Sequence, residues 1–67
     1  MVDAMVIADR LIKLRGNTQR DEVAEACGIS KSALTMYELG KRIPRDEIKV
    51  KLARYYNTTV ETIFFTC

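Results

Sequence analysis

Apolar residues recur at helical spacing along the whole chain, and nowhere do they alternate in the two-residue rhythm of a strand. Ile7, Leu11 and Leu14 follow the i, i+4, i+7 rule, with Ala8 and Ile12 widening the stripe, which predicts a first helix from about Asp3 to Leu14. Gly16-Asn17 stops it. Thr18 reads as the cap of a second helix, with Asp21 three residues on in a shortened capping box. Asp21 and Glu22 also suit the positive end of that helix's dipole. Val23 and Cys27 lie four apart and point together into a core, while Ala24 is small enough to let another helix pass close by. Gly28 can take the left-handed conformation that ends a helix and turns the chain, Ile29 plugs the turn, and Ser30 caps the next helix.

A third helix is predicted over roughly Lys31–Leu39, ended by Gly40, with Leu34 and Tyr37 returning to the core. Pro44 holds Ile43 extended, so Lys41–Pro44 is a loop. A fourth helix starts near Arg45 or Asp46 and runs to about Tyr56 on Ile48, Leu52 and Tyr55 or Tyr56, with Ala53 at a close contact and Asn57 as its C-cap. Thr58-x-x-Glu61 is the capping signature of a last helix, about Val60–Phe65. There is no repeat, low-complexity tract or linker, and residues 1–67 read as one small all-α domain.

Residues 19–39 therefore have the form of a helix-turn-helix, two short helices joined by a tight turn. Stepping about 100° per residue from Lys31, Ala33, Tyr37 and Leu34 fall at about 200°, 240° and 300°, and Thr35, Ser32 and Met36 at about 40°, 100° and 140°. The apolar side faces the core. The other side carries Lys31, Ser32, Thr35 and Met36 outward, and an exposed second helix of this kind fits the DNA major groove.

Composition adjusts this picture modestly. The net charge is only +2, but residues 26–56 hold seven basic groups against three acidic ones, a net +4, while the segments before and after each carry −1. Such asymmetry suggests one anion-facing side. Lys49, Lys51 and Arg54 are more simply a solvated helix face. Without histidine, and with two cysteines that form no framework, a zinc site lacks ligands. Cys27 behaves as a small hydrophobe in the core, and Cys67, last in the chain, is expected to be mobile. Val2–Ile7 is too short and too interrupted by Asp3 for a signal peptide or membrane span, which gives a cytoplasmic expectation. No glycine-rich phosphate loop or nucleophile–base pair suggests an enzyme.

Residues 6–65 resemble the Cro/repressor, or Xre-like, helix-turn-helix regulators. The matching pieces are LRGNTQ (14–19), EVAEACGIS (22–30), YELGKRIP (37–44) and KLARYYNTTVETIFF (51–65). The resemblance implies a compact domain of five helices whose third reads DNA, with Lys31, Ser32, Thr35 and Met36 at the specificity-setting positions. Met36 departs from the more usual polar residue there. It further implies that Gln19 anchors the domain on a phosphate, that Lys41 and Arg42, joined by Arg45, contact the backbone across the groove, and that Arg15 pairs with Glu38. Val23, Ala24, Gly28, Leu34 and Tyr37 are its structural positions here. The link between the first two helices is shorter than in many relatives, so the pair's geometry is open.

The function these features imply is a regulator, a repressor, binding an inverted repeat in double-stranded DNA as a homodimer, with no cofactor or small-molecule ligand. Ile63, Phe64 and Phe65 offer apolar area for pairing, unless Ile63 and Phe64 close the monomer's own core. The alternative is an antitoxin-like or phage-type module that uses the same fold to bind a protein partner.

Overall fold

The computed structural model describes residues 2–66. Five helices are present among them: α1 (Ala4–Arg15), α2 (Arg20–Cys27), α3 (Lys31–Glu38), α4 (Asp46–Tyr55) and α5 (Val60–Phe64), with no strand. Each boundary has a local cause. Asp3 caps α1 by accepting from the Val6 N–H, and Ser30 caps α3 by accepting from the Ala33 N–H, both at 3.0 Å. α2 closes on Gly28, whose left-handed φ of 69° glycine adopts without a Cβ penalty, and the Ile29 N–H bonds the Ala24 carbonyl at 2.9 Å. α3 closes the same way on Gly40, with the Lys41 N–H on the Met36 carbonyl at 3.0 Å.

Three caps, those of Thr18, Asn57 and Thr58, differ from the sequence expectation. Thr18 does not cap α2. Gln19 holds the N-cap position without a side-chain bond, because the tight turn after α1 ties the Thr18 N–H to the Arg15 carbonyl at 3.0 Å and its own carbonyl to Arg15 Nη1 at 2.9 Å. Thr59, not Thr58, caps α5, its hydroxyl accepting from the Thr62 N–H at 3.1 Å. Asn57, one step past the Tyr56 C-cap, takes a left-handed φ of 56°. The Thr58 N–H is thereby used on the Ala53 carbonyl at 2.9 Å, which leaves the capping role to the next residue while α5 still starts at Val60.

α1 packs on α3 and α5, α2 on α3 and α4, and α4 on α5. Leu11, Val23, Leu34 and Leu52 are fully enclosed, joined by Ile7, Cys27, Ile48, Ile63 and Phe64. Each such side chain contributes about 1.5–3 kcal/mol on burial. The stripe of α1 is narrower than its sequence suggests. Ile12 and Leu14 remain 42 % and 40 % exposed, since α3 and α5 cover an arc centred on Leu11 that takes in Ile7 and Ala8. Ile63 and Phe64 close the core and Phe65 lies 55 % exposed. Arg10 stitches α1 to α5, its Nη1 donating to the Thr62 and Ile63 carbonyls at 3.0 Å each. Cys27 is buried in this core, with its Sγ 3.8 Å from the Lys51 carbonyl, while Cys67 lies outside the described residues. No helix among the described residues is long and apolar enough to cross a membrane.

Candidate nucleic-acid interface

Two buried anchors hold α3 in place. Leu34 and Tyr37 fix its inner side, and Glu38, with no exposed side-chain surface, fixes its end. Arg15 Nε lies 3.1 and 2.8 Å from the two Glu38 oxygens, so one donor is shared between both acceptors. Arg20 Nε adds a third bond at 2.8 Å. α1, α2 and α3 thus meet at one carboxylate. The bond to Glu38 raises the Arg15 pKa above its ordinary value, against the opposing effect of burial. The Tyr56 hydroxyl is enclosed without a hydrogen-bond partner among the described residues. Burial, with Glu38 adding to it, pushes its pKa well up.

On the outer side, Lys31 and Ser32 are exposed and Thr35 and Met36 half-buried. The Lys31 ammonium lies 3.6 Å from Asp21 on α2, an exposed pair. Gln19 and Lys31 share a cleft of about 380 Å³ with Arg15, Asn17, Thr18 and Arg20. Arg42 and Arg45 line a second cleft, about 460 Å³, beside Gly28, Ser30, Ala33 and Tyr37. Lys31 and Ala33 are about 200° apart around the helix, so the two clefts flank α3 on opposite sides. Arg45 lies 3.2 Å from Glu47, and Lys41 is exposed beyond the end of α3 without lining either cleft.

Lys49 departs from the solvated face expected for it. Its side chain is 14 % exposed, the ammonium 5.7 Å from the Phe64 ring centre, 4.9 Å from that of Phe65 and 3.6 Å from Asp46. Lys51 and Arg54 are exposed. Sequence reasoning misses Arg20, although a signal is there. Arg20 precedes Val23, Ala24 and Cys27 at three, four and seven residues, which puts a charged side chain on the inward face of α2.

Two short helices crossing at Gly28, the second pinned inside and free outside, define a helix-turn-helix domain. Residues 8–63 match the family model described as Helix-turn-helix, and the chain belongs to that family, the Xre/Cro-type helix-turn-helix proteins. The family is a DNA-binding one, and typically non-enzymatic. Neither the curated proteins nor the solved structures compared with the chain gave a significant match.

Proposed function

We propose that this protein is a sequence-specific transcriptional regulator, a repressor that binds an inverted-repeat operator as a homodimer with α3 in the major groove. The observation that carries the reading is the outer side of α3, where Lys31 and Ser32 are exposed and two clefts lined by cationic side chains, one of them including Lys31, flank the helix. Lysine donates to guanine O6 and N7, serine and threonine pair with several bases, and the Met36 methyl can meet a thymine methyl. Gln19 anchors one side of the helix on a phosphate, and Lys41, Arg42 and Arg45 hold the backbone on the other.

One α3 spans few base pairs, so two-fold pairing with half-sites about 34–36 Å apart supplies the rest of the affinity. Random-oligonucleotide selection at about 150 mM salt tests the reading. An enriched inverted repeat with one-turn spacing supports it. Weak, salt-sensitive binding without enrichment transfers the assignment to a protein-binding module.

A further inference from the structure

Charge in the cluster at the end of α3 does not balance. One carboxylate, Glu38, faces two guanidinium groups, which leaves one positive charge uncompensated. The two arginines spend their donors differently. Arg15 commits Nε to Glu38 and Nη1 to the Thr18 carbonyl. Arg20 commits Nε alone, and among the described residues neither of its Nη atoms has a hydrogen-bond partner. Its side chain is 32 % exposed and borders the cleft of about 380 Å³ that also holds Asn17, Gln19 and Lys31. That cleft presents two amide side chains, Asn17 and Gln19, and three cations, Arg15, Arg20 and Lys31. Of the carboxylates near it, Glu38 is committed to the arginines and Asp21 sits 3.6 Å from Lys31.

We propose that Arg20 is a further phosphate-binding residue of this protein and Glu38 the positioning residue that aims it, seating one phosphodiester of the DNA backbone in the cleft between Asn17, Gln19, Arg20 and Lys31. The inference rests on the DNA-binding reading above and deepens it. A guanidinium held at Nε turns its two Nη groups outward as a fork, and that fork matches two non-bridging phosphate oxygens. Because the carboxylate has no contact with water, Glu38 holds Arg20 in a fixed rotamer before DNA arrives, so little side-chain freedom is lost on contact. The outgoing charge of the cluster then meets the charge of the phosphate.

The test is the salt dependence of binding to a fluorescently labelled mixed-sequence duplex about two helical turns long, read by anisotropy for the wild type, Arg20→Ala and Arg42→Ala. Losing one phosphate contact reduces the slope of log K against log salt by about 0.9. Arg20→Ala is expected to show that reduction, as well as weaker binding at every salt concentration. A folded Arg20→Ala with the wild-type slope, while Arg42→Ala lowers it, overturns the proposal and leaves Arg20 a purely structural partner of Glu38. A wild type without salt-dependent binding removes the DNA reading itself, and the proposal with it. Should Arg20→Ala not fold, the Arg20 Nε–H resonance of the wild type decides. Its shift on titration with the duplex supports the contact, and its constancy while the Gln19 amide moves overturns it.

Discussion

Glu38→Gln keeps the shape of the side chain and removes its charge, so it isolates the electrostatic contribution of the three-helix junction. The native carboxylate accepts from Arg15 Nε at 3.1 and 2.8 Å and from Arg20 Nε at 2.8 Å. A glutamine has one acceptor oxygen, and its amide N–H groups must confront one of these donors. Removing one partner of a buried ion pair costs about 3–5 kcal/mol. The arginines, 17 % and 32 % exposed, regain some water when released, which sets the loss near the lower bound, about 3 kcal/mol. In a domain of this size that lowers Tm by roughly 12–24 °C. Urea and thermal unfolding followed by far-UV circular dichroism at neutral pH measure both quantities. A loss below about 0.5 kcal/mol, the scale of an exposed pair, would refute the argument that burial makes this junction matter. The triple variant Arg15→Met, Glu38→Leu, Arg20→Met, which leaves no charge stranded, is expected to recover most of the loss.

Further outcomes concern the DNA side chains, a tight approach and alkaline pH. Lys31→Ala should flatten discrimination among duplexes, whereas Arg42→Ala should weaken all of them about equally; anisotropy against an enriched site and a scrambled one separates the two, and the reverse pattern would overturn this division of labour. Gly40→Ala should destabilise more than Gly28→Ala in urea titrations. Both force a left-handed alanine, at about 1–2 kcal/mol, but the new Cβ at Gly40 also collides with the Met5 side chain, while that at Gly28 meets nothing nearer than Lys51 Nζ at 3.7 Å. Equal losses would show that Met5 moves aside freely. Burial raises the Cys27 thiol above its ordinary value of 9.0 and the Tyr55 and Tyr56 hydroxyls above 10.0. Above about pH 9 the unfolded chain gives up protons that the fold retains, so stability falls as pH rises. Tm measured from pH 7 to 10.5 should decline over the upper part of that range, and a flat profile would count against the burial of these groups.

Helix order and the turn at Gly28 were legible because they rest on short-range rules: apolar spacing, a residue able to take positive φ, a hydroxyl before a helix. The misplaced caps failed for a physical reason. Thr18 and Thr58 are drawn into the turns that close the preceding helices, and which backbone N–H is free depends on how each of those helices ends. Ile12 and Leu14 are as apolar as Leu11, and only the placement of α3 and α5 decides which arc is covered. Lys49 carries the same charge as Lys51, yet the two phenylalanines packed over it come from further along the chain. The Arg15–Glu38 pairing could be named from resemblance, whereas the second arginine became visible once α2 was laid against α3.

The eight-residue length of α3 carries a consequence of its own. Isolated helices shorter than about 12–15 residues barely form in water, so the segment that presents Lys31 and Ser32 has no existence apart from the core beneath it. Its geometry is a property of the whole cooperative unit, and it cannot be transplanted as a peptide or loosened by degrees. Heat or a core mutation therefore acts on the outer surface of α3 as a switch, leaving each molecule with a complete presenting surface or none.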